Sequence, residues 1–456
     1  MTGVNPNKKI YCGVDIGGTK ILAALIDGTG KILARKKCAT LQKASAQRIY
    51  AQVRAHLQGF FKEQKLDINQ LKGICLGVPG IVRPNKTDIL RTPNINLANF
   101  PLSQRLSRLF GVRVILGNDV NLGLLGEKWL GAARDANNVI GLFPGTGVGG
   151  AIIVDGKLLY GAQGIAGELG HVIIDQNSAK ESAGLRGTLE ALTSRRAVER
   201  EIRDAVRAGK KSLITKIQGD DLAQIKSRVI AQALAKKDPL TVSVINELCR
   251  TLGNACISMR HILNPELIVL GGGMMEACGT YILPRVRRRS GANPFLAGID
   301  HCRIVLSELG DDAVILGAVA LLKRDLKKKQ TLKSKKYPLV TLQRGDRVHI
   351  DDMTIDKSFY IRADGKIKEL NGGTDFKIFL QKNMIDAQII RRFCKKKTEV
   401  LIVARKNRVI RVTKDGRDYL NRHSIECKML SIRQAVRAYT TLNKRKALFV
   451  SQKPAG

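Results

Sequence analysis

Two glycine- and threonine-rich segments, DIGGTK at Asp15–Lys20 and PGTGVGG at Pro144–Gly150, hold the first residues of this sequence that could do chemistry. In the first, Gly17 and Gly18 permit a tight turn whose backbone N–H groups can face a phosphate with no Cβ in the way. Thr19 adds a hydroxyl donor and Lys20 a positive charge. Asp15 stands at a strand end, where a carboxylate can hold Mg²⁺ directly or through water. Gly145, Thr146 and Gly147 repeat the pattern in the second segment. A glycine-rich hairpin turn explains DIGGTK alone equally well. Two such turns can clamp a polyphosphate from opposite sides, or can belong to a bare pair of hairpins.

GNDVNLGLLGEKWLGAARD places Asn118 and Asp119 just after the apolar run RVILG. Leu122, Leu125, Trp129 and Leu130 keep helical spacing, so the pair stands where a helix begins. Asn and Asp are common helix caps, and capping alone accounts for them. Beside two phosphate turns, Asp119 reads as a general base that accepts a proton from a hydroxyl attacking a γ-phosphate. GELGHVIID carries Glu168 and His171, and GLRGTLEALTS carries Glu190. Carboxylates and an imidazole suit the gripping of vicinal sugar hydroxyls. Taken singly, Glu190 reads as a first-turn helix charge and His171 as an ordinary core or surface histidine. LNPELIVLGGGM (263–274, with Gly271 and Gly272) and GDDAVILGAVALL (310–322) set glycines against a strand end or helix start. That suits an adenosine packed on backbone, and close helix–strand packing accounts for the second segment as well.

Positioning such residues needs a particular set of elements. IYCGVDIGG, TKILAALID and KILARKK read as three strands joined by glycine-containing turns, with Asp27-Gly28 opening the second junction. VIGLFPGTGVGG, AIIVDG and KLLY repeat this unit at 139–159, with Asp155-Gly156 at the equivalent turn. The chain therefore contains a diverged internal repeat, and two like β lobes facing each other make a cleft. Segments 46–64 and 244–263 have helical periodicity, and KGICLGV, RVILG and LIVLGGG read as buried strands, so the class is α/β. Near residue 325 the texture turns polar and basic in DLKKKQTLKSKKYP, which reads as a linker. TEVLIVARKNRVIRV and SIRQAVRAYTTL then resume strand and helix patterns, which makes the tail a folded domain.

At 456 residues the chain exceeds one compact core, and its 44% apolar and 26% charged content is that of a soluble globular protein. No apolar run approaches the ~20 residues of a membrane helix, and the N-terminus lacks a signal pattern, so a cytoplasmic protein is expected. Nine cysteines, an odd number with no C-x-x-C pair, read as reduced thiols, and the six scattered histidines form no local metal cluster. Residues 325–456 hold 33 Lys and Arg against 13 Asp and Glu, about half of the net charge of +39. Such an excess can mark phosphate-rich partners. Dispersed charge and an aromatic content of 4% favour a solvated surface over a nucleic-acid site, because single-strand binders interleave stacking aromatics.

In their order, the motifs of residues 10–324 resemble those of the ROK family of sugar kinases and regulators. DIGGTK and PGTGVGG resemble its two phosphate motifs. GVPG (77–80, with Pro79 and Gly80) and PN (93–94, with Asn94) resemble its sugar-side loops. ND resembles the motif of its catalytic aspartate, GELGH and GLRGTLE its sugar-contacting segments, and NPELIVLGGG and GDDAVILGA its adenosine side. The resemblance implies an actin-like ATPase (RNase H-like) duplicated two-lobe fold, with lobes at about 9–117 and 118–324. It implies ATP and Mg²⁺ as cofactors, a homodimer, and phosphorylation of a hexose hydroxyl, with glucose foremost. Asp119 would then be the base, and Pro79, Gly80, Asn94, Asn118, Glu168, His171 and Glu190 would hold the sugar. Asp15 would help place Mg²⁺, and Gly17, Gly18, Thr19, Lys20, Gly145, Thr146, Gly147, Gly271 and Gly272 would meet the nucleotide.

Family repressors usually carry a winged helix before this module, whereas the first strand here begins near Lys9. An inactive sugar sensor acting through the basic tail is the alternative. Family members often bind zinc through the GH histidine and three cysteines in C-x-C-G-x-x-G-C-x-E. Here His171 remains, but Glu181, Ala183 and Thr188 replace the thiolates, so no zinc is expected. After a linker at 325–337, residues 338–456 resemble the Mth938-like domain, a small α/β module. MTIDKSFYIRADGKIKEL, EVLIVARKNRVIRV and the closing helix carry that likeness, with Ala435, Val436, Tyr439 and Leu442 on its A-V-x-x-Y-N-x-L pattern. Thr440 replaces the Asn, and ARKN the usual glycine-rich turn.

Overall fold

A computed structural model describes residues 9–93, 95–219, 221–299 and 301–334. It also describes 338, 340–343, 347–350, 353–355, 358–362, 365–369, 384–394, 398–405, 410–442 and 446–451. Asn94 and, within the ARKN segment at 404–407, Lys406 and Asn407 lie outside the described residues, while Ala404 and Arg405 end a strand, Val400–Arg405. The chain divides into two compact units, Met1–Arg324 and Asp325–Gly456.

The first unit opens with an antiparallel meander, β1 (Ile10–Ile16), β2 (Lys20–Asp27) and β3 (Ile32–Ala39). β1 is buried at every position except Asp15, as befits an interior strand. β3 alternates half-buried and exposed residues and presents Arg35, Lys36 and Lys37 at the sheet edge, where charge discourages further pairing. Helix α1 (Ala46–Glu63) follows and buries Ile49, Val53, Leu57 and Phe60 at spacings of three and four. Strand β4 (Leu71–Val78) joins β1 in parallel, and a small β5 (Ile81–Val82)–β6 (Ile89–Arg91) hairpin extends from it. Helix α2 (Leu102–Phe110) leads to β7 (Val114–Asn118), parallel to β4, which completes the order β3-β2-β1-β4-β7.

Helix α3 (Asp119–Leu130) crosses to a second sheet of β8 (Val139–Pro144), β9 (Val148–Val154), β10 (Lys157–Leu158), β13 (Leu267–Leu270) and β14 (Arg303–Leu306). Its order, β10-β9-β8-β13-β14, repeats the first sheet strand for strand, with two antiparallel and two parallel pairings in the same places. The internal repeat is thus present in three dimensions. The second glycine-rich run is shared differently from the sequence reading, because β9 starts at Val148 and takes in Gly149 and Gly150.

Between β10 and β13 lie a hairpin of β11 (Glu181–Ser182) and β12 (Leu185–Arg186), and helices α4 (Leu189–Thr193), α5 (Arg195–Arg207), α6 (Leu213–Gln218), α7 (Ser227–Ala235) and α8 (Pro239–Leu263). Helix α9 (Gly273–Gly291) packs on α8 over this sheet, with Leu248, Leu252, Ile268, Leu270 and Ile282 in the core. Helix α10 (Ala313–Ser334) closes the unit and runs on through much of the segment read as a linker.

α3 and α10 cross at glycines. A Cβ on Gly317 would lie 1.8 Å from the carbonyl oxygen of Leu122, and one on Gly126 2.1 Å from that of Ala313. Only backbone meets backbone there, so no side chain can yield. Gly317→Ala is expected to destabilise the first unit by about 3 kcal/mol, read as a lower urea midpoint with an unchanged slope.

The second unit has a mixed sheet in the order Ile367–Glu369, Phe359–Ile361, Lys446–Ser451, Val400–Arg405, Glu426–Ser431. Both faces are covered: Ile361, Ile402, Ala435, Val436 and Tyr439 pack on one side, and Tyr360, Phe393, Leu401 and Phe449 on the other. No helix among the described residues is long and apolar enough to cross a membrane.

Candidate active site

β1 ends in the Gly17–Lys20 turn, closed by the Gly17 N–H donating to Lys20 O at 2.9 Å. Thr40 Oγ1 donates to Gly17 O at 2.7 Å, and Gln42 Nε2 to Gly18 O at 2.6 Å. The carbonyls are thus tied back, while the N–H groups of Gly18 and Thr19 have no protein partner among the described residues. Lys20 does not point freely outward. Its Nζ donates to Asp311 at 2.7 Å, and Lys37 reaches the other oxygen of the same carboxylate at 3.2 Å.

The equivalent turn after β8 is closed by the Gly145 N–H donating to Gly147 O at 2.8 Å. Glu190, in the first turn of α4, accepts the Val148 N–H through Oε2 at 2.8 Å and the Ser182 hydroxyl through Oε1 at 2.5 Å. A Cβ on Gly147 would fall 2.3 Å from Glu190 Oε2, so this carboxylate needs glycine at that point of the turn. Gly271 and Gly272 follow β13 at the base of the same turn. Gly272 has φ +80°, and a Cβ there would meet Pro144 O at 2.8 Å.

At the end of β7 the two candidates for capping divide the task. Asn118 is the N-cap: its Oδ1 accepts the Asn121 N–H at 2.9 Å. Its Nδ2 donates to Gly80 O at 2.9 Å and to Asp119 Oδ1 at 3.1 Å. Both amide protons are therefore committed to orienting Asp119 and the Pro79–Gly80 loop. Asp119 Oδ1 also accepts the Val120 N–H at 3.0 Å, and among the described residues no other residue donates a hydrogen bond to Oδ2.

Burial pushes the Asp119 carboxyl up to about 7, with further elevation from Asp15 and a smaller one from Glu168; its helix-start hydrogen bonds oppose the rise. Asp15 is pushed up to about 6, chiefly by burial, with Lys20 lowering it and Asp311 raising it. Burial also raises Glu168, while His171 lowers it and Glu190 raises it. Asp15 lies in β1 and Asp119 opens α3 directly after β7, while Glu168, His171 and Glu190 follow β10. Charge effects link Asp119 with Asp15 and Glu168, and Glu168 with His171 and Glu190, so the five share one neighbourhood. His171 itself is exposed, one turn of backbone from Glu168.

A carboxyl whose pKa is raised by folding is most favourable when protonated. The penalty for ionising Asp119 is absent below about pH 4 and complete above about pH 7. Asp119→Asn is therefore expected to raise the melting temperature at pH 8 and to leave it nearly unchanged at pH 4, which calorimetry at the two pH values checks.

Residues 181–188 are ordered by the β11–β12 hairpin, whose turn holds Ala183 at φ 51° and Gly184 at φ 82°. An Ile173–Thr188 bridge adds to it, and Thr188 caps α4 by accepting the Ala191 N–H. Three residues escaped the sequence reading: Asp311, Ser182 and Arg195, the last of which donates to Thr146 Oγ1 at 3.1 Å. Asp311 had one signal, its place in GDDAVILGA. Arg195 had none.

The ROK family pattern matches residues 11–325. The glucokinase of Halalkalibacterium halodurans is 31% identical over 315 residues, which are 69% of this chain and 95% of that protein. A putative xylose repressor of Caldicellulosiruptor sp. is 29% identical over 323 residues, 71% of this chain and 80% of the repressor. Among solved structures, a ROK family glucokinase from Streptomyces griseus in complex with glucose and AMPPNP superposes with a TM-score of 0.60 at 28% identity, over 69% of this chain and 99% of that one. The repeated sheets are those of the actin-like ATPase fold. From the family pattern, the relatives and the duplicated lobes together, the chain belongs to the ROK family.

Proposed function

We propose that residues 1–324 transfer the γ-phosphoryl group of ATP to a hexose hydroxyl, with glucose, through its 6-hydroxyl, as the first substrate to test. The observation that carries this reading is Asp119. It is a carboxyl held at a helix start by Asn118, raised to about 7, with one oxygen to which no other described residue donates. A base of that strength is matched to neutral pH. It takes the hydroxyl proton as the sugar oxygen attacks the phosphorus in line.

The free N–H groups of Gly18 and Thr19, with Gly145, Thr146 and Gly147 opposite, suit the phosphates. Gly271 and Gly272 lie on the adenosine side. Pro79, Gly80, Glu168, His171 and Glu190, with Asn118 behind them, suit the sugar. Among the described residues no group of His, Cys, Asp or Glu could hold a metal by itself. Asp15 nevertheless fits Mg²⁺ bound to ATP phosphates, because its carboxylate has no hydrogen bond among the described residues and is raised chiefly by burial, with Asp311 adding to the rise. When bound, Mg²⁺ would supply neutralising charge there. Closure of the lobes excludes water and limits ATP hydrolysis. A cytoplasmic homodimer and an Mth938-like identity for residues 338–456 belong to the same reading.

The likeness to a xylose repressor favours a second reading, a sugar-binding regulator without turnover. A coupled ADP-release assay across glucose, N-acetylmannosamine, N-acetylglucosamine, fructose and allose separates them. Sugar-dependent ADP release supports the kinase; sugar binding with no release on any of the five supports the regulator.

A further inference from the structure

Arg195 opens α5 directly behind the second glycine/threonine turn. Its backbone N–H donates to Gly145 O at 2.8 Å and its Nη2 to Thr146 Oγ1 at 3.1 Å. Nη1 is anchored from the other side, donating to Glu199 and to Ile225 O. The guanidinium is therefore held in one orientation, with its side chain 21% exposed. Its Nε–H and the second Nη2 proton have no protein partner among the described residues. Because Thr146 accepts from Arg195, its own hydroxyl proton stays available to donate.

Charge points the same way. Arg195 and Arg196 take the first two positions of α5, whose first turn has no acidic residue. The positive end of the helix dipole makes that placement unfavourable unless an anion sits nearby. Glu199 offsets one charge from a turn away. Across the cleft, Lys20 is already paired with Asp311. Polyphosphate between the two turns would meet a neutralised lysine on one side and a fixed guanidinium fork on the other. Arg matches phosphate geometry with paired N–H donors.

We propose that Arg195 is a phosphate-contacting residue of the nucleotide site, donating to the terminal phosphates of ATP beside Thr146. This rests on the kinase reading above. Calorimetric titration of the full chain with AMP and with magnesium AMPPNP tests it, using the parent, Arg195→Gln and Arg195→Lys. Arg195→Gln is expected to weaken AMPPNP binding about tenfold or more and leave AMP binding unchanged. Arg195→Lys should fall between, and it keeps the charge should the Gln variant fold poorly. A parent that binds AMPPNP while Arg195→Gln stays within about twofold of it overturns the assignment and leaves the kinase reading intact. Equal losses for AMP and AMPPNP also overturn it, since they would mean that Arg195 only props the turn. A parent that binds no AMPPNP overturns both.

Discussion

Asp119→Asn is expected to lower kcat for sugar phosphorylation by about 10³-fold or more, with sugar affinity changed only a few-fold. The substitution is nearly isosteric. An Asn Oδ1 still accepts from Val120 N–H and Asn118 Nδ2, so the helix start keeps its geometry. What disappears is the proton acceptor, and the attacking hydroxyl must then lose its proton to water. Residual turnover comes from positioning alone. The pH profile carries the same information. With the Asp119 carboxyl pushed up to about 7, the parent's kcat/KM should rise through neutral pH as the base form appears. The trace left in the Asn variant should lack that limb. Steady-state kinetics with direct sugar titration checks the split.

Glu127→Ala is expected to cost about 3–5 kcal/mol of stability. Glu127 is fully buried in the last turns of α3. Its Oε1 accepts from Ser307 Oγ at 2.6 Å and from Leu309 N–H at 2.9 Å, and its Oε2 from Ala132 N–H at 2.8 Å. The Glu308 N–H lies between both oxygens at 3.1 and 3.2 Å. Alanine would strand three backbone N–H groups and a hydroxyl that now bond the carboxylate. Glu127→Gln should cost less, because one carbonyl oxygen still accepts, although its amide would face the Ala132 N–H. Urea unfolding orders the three proteins.

Much of this site was legible because it is built from local motifs. Asp15–Lys20 and Pro144–Gly150 carry their chemistry in a few consecutive residues, and glycine's freedom marks the turns in the sequence itself. The repeat was legible for the same reason, since each three-strand unit is contiguous. Asn118 and Asp119 were found together, but only geometry shows that Asn118 is the cap, since either side chain can cap. Asp311 and Arg195 were not found, because their partners are distant in sequence: Lys20 and Asp311 are separated by 291 positions. The basic segment after Arg324 was read as a linker, yet α10 continues to Ser334. Lys, Leu and Gln are good helix formers, so a helix and a polar linker can share one composition.

The central claim is that this cleft makes a sugar phosphate. Incubating the purified full chain with glucose and MgATP, and following the mixture by ³¹P NMR, tests it most directly. The account predicts a sugar phosphate monoester resonance that grows in step with ADP and is missing with Asp119→Asn. Glucose binding by calorimetry without that resonance, or ADP release with inorganic phosphate as its only companion, would contradict it.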